Sequence, residues 1–248
     1  MLKKMILPGL LAVTLAAPVA AFDIGAMSDE ERAEFGAQVR TYLLENPQVI
    51  MEAVNALEEQ RAAAQAEADL SLVSDNADAL FNDGFSWVGG NPDGDITVVE
   101  FMDYRCGFCK RAVNEVETLL KNDGNIRFIV KEFPILGEES VLASRFAMAT
   151  KDVAGDEAYK SIHDALMAYG GPVDIASLRR VAEPFDLDLD AIEARMGSEE
   201  ISEKIRANRA LAQRLQIGGT PTFVMGDQLV RGFVEYDQMQ MLVDDLRG

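Results

Sequence analysis

The residues best able to do chemistry are Cys106 and Cys109, the only two cysteines among the 248 residues. Three positions apart on one helical turn, their sulfurs come within bonding range, so the pair can exist as a disulfide or as a dithiol. Cys106 falls where a helix should open. Free N–H groups and the helix dipole favour an anion there, so its thiolate, the nucleophilic form, is favoured. Cys109 lies a turn further in and would act as the shielded, resolving thiol. As a structural crosslink the pair would close only a very short loop and gain little. A structural zinc site needs about four ligands, whereas the chain adds only one histidine, His163, far away in sequence. The composition therefore implies a redox pair and no resident metal or cofactor.

The elements that must position the pair can be read around it. Ile96–Met102 is a β-branched apolar run between Gly94 and Gly107, which predicts a buried strand. Val113, Val116, Leu119 and Leu120 then recur at helical spacing, up to Asn122-Asp123-Gly124. Asn125 to Glu132 alternates, predicting a second, parallel strand and a right-handed strand–helix–strand unit. Residues 138–217 carry a series of helical patterns too long for a crossover, which implies an inserted helical domain. Gly218-Gly219-Thr220-Pro221-Thr222 leads into a hairpin turned at Gly226-Asp227, and Tyr236 to Leu246 reads as a closing amphipathic helix.

Upstream, residues 1–21 have a basic start at Lys3-Lys4, an apolar stretch and small residues to Ala21, the pattern of an export leader. Removal of Lys3 and Lys4 from 23 basic residues leaves 21 against 42 acidic, a net charge of −21. Such a surface argues against nucleic acid and against anionic membrane. Residues 22–74 follow as a helical extension. Ser28 and Glu31 form a capping box, Asn46-Pro47 restarts the helix, and Phe35, Val39, Tyr42, Val49, Ile50, Val54 and Leu57 make apolar stripes. Those stripes pack either on the main domain or on another copy of the chain. The polar, alanine-rich stretch from Glu58 to Asp69 reads as a spacer and favours self-association. Residues 75–95 read as a loop with a possible short strand, and Trp87 as an anchor near the edge of the main domain, which spans 75–248.

The order of cysteine helix, inserted helices, Gly-Thr-Pro-Thr-Phe, hairpin and helix resembles the DsbA-like thiol–disulfide oxidoreductases, over roughly Trp87 to Leu246. The resemblance implies an α/β class, a thioredoxin fold with an inserted helical domain and an N-terminal helical extension. It implies a cis Pro221 beside the sulfurs, with Thr220 before it, leaving backbone groups for a substrate strand. It also implies that Glu100 is a partly buried acid near the cysteines that could take the proton of Cys109, with Lys131 as its partner. On the residues alone, both could equally be solvated at strand ends. The segment Tyr42 to Glu52 resembles the ScsC-type subgroup, which includes oligomeric disulfide isomerases, some associated with copper tolerance. Gly107 and Phe108 replace the Pro-His of strong oxidases, and Thr220 also resembles the isomerase branch. The implied activity is thus a periplasmic isomerase or reductase, with dithiol oxidase and Cu(I) binding by the two thiols as alternatives. The implied partners are misfolded exported proteins, a membrane redox partner and further copies of the chain. Lys110 and Arg111 read as solvent-facing, His163 as a helix-surface residue, and the methionines as core.

Overall fold

The computed structural model describes Gly25 and residues 27–248. The expected leader, residues 1–21, lies outside them. The chain divides into two compact units, one ending at Glu59 and one spanning Gln60–Gly248.

The first unit holds α1 (Asp29–Glu45) and the head of α2 (Gln48–Asp75). Ser28 and Glu31 form the reciprocal capping box at the start of α1, which satisfies N–H groups that have no partner inside the helix. α1 buries none of its residues. Phe35, Val39, Tyr42, Ile50, Met51, Val54 and Leu57 are all exposed.

In the second unit, a five-stranded sheet runs in the order β1-β3-β2-β4-β5. The strands are β1 (Trp87–Gly90), β2 (Ile96–Met102), β3 (Ile126–Glu132), β4 (Thr222–Met225) and β5 (Gln228–Arg231). β2 and β3 are parallel and joined through α4 (Gly107–Asp123). The other pairings are antiparallel. β2 is central and covered on both faces, which is why its sequence is nearly continuous in apolar residues. α4 ends at Gly124, whose φ of 72° is the left-handed stop that glycine adopts without penalty.

Side chains alternate across the sheet. Val98, Met102, Phe128 and Val130 join the larger core with α4, α5 (Glu138–Ala154), α6 (Asp156–Ala168), α7 (Ile175–Ala182), α8 (Leu189–Met196) and α10 (Tyr236–Arg247). Val99, Phe101, Ile129 and Val224 face a second core with Leu211, Ala212 and Leu215 at the end of α9 (Glu199–Arg214) and beyond, Val73 of α2, and Leu80 of α3 (Ala77–Phe81). The inserted helices therefore share most of the core of the sheet, and add a small cluster of their own in which Met148 of α5 meets Ile201 and Ile205 of α9. The tail of α2 also belongs to this unit. Val73 is buried, and Asp69 accepts from Arg231 of β5 at 2.6 and 2.9 Å. The stretch read as a spacer is docked at its end. α3 was not anticipated: five residues with one buried apolar side chain carry no periodicity. Trp87 lies on the edge strand β1, stacked on Tyr159 with its Nε1 donating to Asp156 O.

Candidate active site

Register brings the site together. Phe101 of β2 pairs with Thr222 of β4, so Thr220 and Pro221, just before β4, lie beyond the end of β2, where the chain turns toward Cys106. The Thr220–Pro221 bond is cis. Cys106 is the N-cap of α4, and its Sγ lies 3.2 Å from Thr220 O, with the thiol donating. Both cysteines are buried and unbridged. The turn is fixed by Asp103, a fully buried carboxylate that accepts from the N–H groups of Arg105 (2.7 Å), Ile135 (2.8 Å) and Leu136 (3.0 Å). It ties the residues before Cys106 to the loop after β3. An aspartate three positions before the cysteine, at a strand end, was the available signal for this turn.

Cys109 is fully buried, and desolvation first and the charge of Glu100 second push its thiol far above the ordinary range. The Asp103 backbone and the Thr220 side chain act the other way. The buried, hard-to-ionise sulfur is thus the inner one. Gly107 and Phe108 are exposed between the two cysteines, with Phe108 at 55%.

Glu100 is buried on the cysteine side of β2, and burial pushes its carboxyl up to about 8. It makes no hydrogen bond or ion pair with any described residue. Instead it faces a cleft of about 30 Å³ lined also by Trp87, Val116, Phe128 and His163. The expected pairing with Lys131 does not occur. Glu100 is in register with Val130, and Lys131 with Phe101, so the two charged side chains point to opposite faces of the sheet. Lys131 is fully buried on the other side, bonded to Asp83 Oδ2 at 2.6 Å and Ala79 O at 2.8 Å, with its Nζ 5.8 Å from the Phe85 ring.

Two further readings are corrected. His163 is not a surface residue. It is 7% exposed, stacked on Tyr159, with Nδ1 3.2 Å from the Tyr104 hydroxyl. Since that hydroxyl donates to Glu132 at 2.8 Å, Nδ1–H is the donor to it. Burial, then the charge of Lys160, lowers His163 to about 3, so the ring is neutral. Glu132, missed in the sequence, also accepts from Tyr159 (2.7 Å) and Ser144 (2.7 Å); burial raises it to about 7 against the pull of those three hydroxyls. Lys110 is half-buried rather than solvent-facing, donating to Tyr169 O. Arg111 is exposed, as read.

A dithiol at a helix start, facing a cis-proline loop on a strand–helix–strand and hairpin core, defines a thioredoxin-fold redox domain. The chain belongs to the family described as the DSBA-like thioredoxin domain, whose profile matches residues 97–247. Residues 31–64 match the domain described as the copper resistance protein ScsC N-terminal domain. A solved thioredoxin-like oxidoreductase from Silicibacter pomeroyi is 44% identical, covering 69% of this chain and 98% of that one, with a TM-score of 0.65. A linker-deletion mutant of Proteus mirabilis ScsC is 27% identical and covers 90% and 98%, at 0.65. A periplasmic thioredoxin-like protein from Salmonella enterica serovar Typhimurium is 30% identical, covering 68% and 94%, at 0.60. The chain spans about a quarter of the length of the first curated relatives it matches. One is Na(+)/H(+) antiporter NhaA 1 of Salinispora arenicola, 29% identical over 157 residues, 63% of this chain and 24% of the relative. Among the described residues no helix is long and apolar enough to cross a membrane.

Proposed function

We propose that the protein is a periplasmic thiol–disulfide oxidoreductase acting on exported proteins, and that it works as an isomerase or reductase. The observation that carries this is the placement of Cys106 Sγ, at the start of α4 and 3.2 Å from the carbonyl before the cis proline, with Cys109 buried one turn in. The Cys106 thiolate attacks one sulfur of a substrate disulfide. A new S–S bond forms, the substrate bond breaks, and the other substrate sulfur leaves as a thiolate. Cys109 then gives up its proton and attacks the mixed disulfide. The second substrate thiolate leaves, the Cys106–Cys109 disulfide forms, and the substrate is reduced by two electrons. Alternatively a second substrate thiolate attacks the substrate sulfur of the mixed disulfide; a new substrate S–S bond forms, Cys106 leaves as a thiolate, and the substrate departs isomerised. Glu100, titrating near 8, is a base suited to neutral pH for the Cys109 proton. Exposed Phe108, Ile135 and Leu136 offer apolar contact for unfolded chains.

Isomerisation requires a misfolded chain to be held near more than one site. The exposed apolar residues of α1 and the head of α2 favour self-association, which would supply those sites. A membrane partner would keep the pair reduced. Dithiol oxidation is the competing direction of the same chemistry. The test compares refolding of scrambled ribonuclease with oxidation of reduced ribonuclease, using full-length protein and the compact unit starting at Gln60. Rescue of scrambled substrate by the full-length protein alone supports the isomerase. Turnover of reduced substrate alone makes it an oxidase. The match of residues 31–64 to a copper resistance domain favours a second reading, Cu(I) held by the two thiolates. Copper stoichiometry that persists in Cys106→Ser protein rules that out.

A further inference from the structure

The protein is strongly acidic, with a net charge of −19. Yet Arg105, Lys110 and Arg111 bracket the cysteine pair within seven residues. Elsewhere half of the described cations are held in ion pairs, among them Arg247 by Asp95 and Asp123, Arg195 by Asp152 and Glu200, and Lys131 by Asp83. At the site only Arg105 is, through Glu139 at 3.0 Å. Lys110 reaches a carbonyl, Tyr169 O. Arg111 forms no ion pair or hydrogen bond with any described residue. Its guanidinium carbon lies 4.4 Å from the Phe233 ring centroid and 5.5 Å from that of Phe108.

Those two rings place the charge. Phe108 is inside the cysteine motif. Phe233 follows Gly232, whose N–H donates to Pro221 O at 3.0 Å. The guanidinium therefore lies over rings of the two segments that frame Cys106 Sγ. Those ring contacts use none of its N–H groups, the part that grips a carboxylate with two parallel bonds, and no described residue accepts from them. Lys110 adds a second positive charge from the same helix, and burial and the charge of Arg105 lower the proton affinity of its amine.

We propose that Arg111, aided by Lys110, makes Cys106 selective for disulfides that carry a carboxylate beside the reacting sulfur. The inference rests on the thiol-exchange reading and adds the substrate class. The carboxylate can belong to an acidic segment of a protein or to a small acidic disulfide. A unit charge about 7 Å away in water is worth about threefold in rate at low salt. It fades at about 1 M salt, where the screening length is about 3 Å.

The test is the second-order rate of reduced full-length protein with dithiodipropionate, bis(2-hydroxyethyl) disulfide and cystamine, which are anionic, neutral and cationic. A pair of peptide disulfides with Asp or Asn next to the cysteine forms a second arm. Each variant is compared with wild type on the same disulfide, so leaving-group differences cancel. Arg111→Gln is expected to lower the anionic-to-neutral rate ratio about threefold, with Arg111→Lys retaining most of it and high salt abolishing it. Discrimination in the peptide pair assigns the site to acidic protein segments; discrimination confined to the small probes assigns it to a small acidic disulfide. If Arg111→Gln slows all three small disulfides in proportion and leaves the Asp and Asn peptides equal, the inference is overturned while thiol exchange stands. If wild-type protein reacts with none of them, both fall.

Discussion

Replacement of Glu100 by glutamine should make the folded protein less sensitive to alkaline pH. Burial holds this carboxyl at about 8 against an ordinary 4.5. Between those values the folded chain retains a proton that the unfolded chain has released. Stability therefore falls as pH rises through the window, and the full cost is present above the folded value. At about 1.4 kcal/mol per pH unit, the wild-type protein loses about 3 to 4 kcal/mol between pH 5 and pH 8 from this group alone. A glutamine at this position would be neutral throughout and similar in shape. The assay is guanidinium denaturation of the reduced proteins at pH 5, 6.5 and 8, extrapolated to water. The variant should lie within about 1 kcal/mol of wild type at pH 5 and exceed it by about 3 kcal/mol or more at pH 8. Parallel pH profiles for the two proteins would refute the assignment of Glu100 as an unpaired buried acid.

Three other perturbations probe the surrounding structure. His163, held at about 3 by burial, opposes folding as pH falls below the ordinary 6.5, so His163→Gln should gain about 3 kcal/mol relative to wild type at pH 4.5 and nothing at pH 8; thermal melting across pH reads this, and an equal difference at both pH values sinks it. Tyr104→Phe removes one of three hydroxyl donors from Glu132 and leaves His163 Nδ1–H without its acceptor. It should cost about 1 to 3 kcal/mol in urea denaturation, and a loss below about 0.5 would show that the network is not tight. Asp69→Asn weakens the ion pair with Arg231; amide exchange should quicken between Gln60 and Val73 and stay unchanged in β2, and no change in the helix would mean that the pair does not hold it.

The cysteine helix, both central strands, the hairpin and the last helix were legible because each has a strong local period with glycine punctuation at its ends. The Glu100–Lys131 pairing was not, because parity across a sheet depends on register. A one-residue slip of β3 against β2 would have put both side chains on one face, and nothing local in either strand fixes that slip. Asp83, the true partner of Lys131, lies in a polar loop with no periodicity to mark it. His163 is different, since its burial could have been read. Tyr159, Ile162, His163 and Leu166 follow one another at helical spacing on a single stripe, and all four are buried. Treating the one polar member as solvated ignored the stripe it belongs to.

The separation of the two charges across the sheet has a chemical consequence. Had Lys131 faced Glu100, the opposite charge would have held the carboxylate ionised well below neutrality, leaving it too weak a base for the thiol proton. With Lys131 turned away to Asp83, only burial acts on Glu100, and its affinity for a proton rises to the range where a thiol is exchanged. The cost of an unpaired acid is reduced by the cleft that Glu100 lines, about 30 Å³ and large enough for a water. Lys131 and Glu100 should therefore fail differently. Lys131→Met strands Asp83 and removes a buried pair, so stability should fall first. Glu100→Gln should raise stability at neutral pH while slowing release of the mixed disulfide by Cys109. If the two substitutions instead lowered stability together and left that release unchanged, Glu100 would be a structural residue and the proton would leave Cys109 by another route.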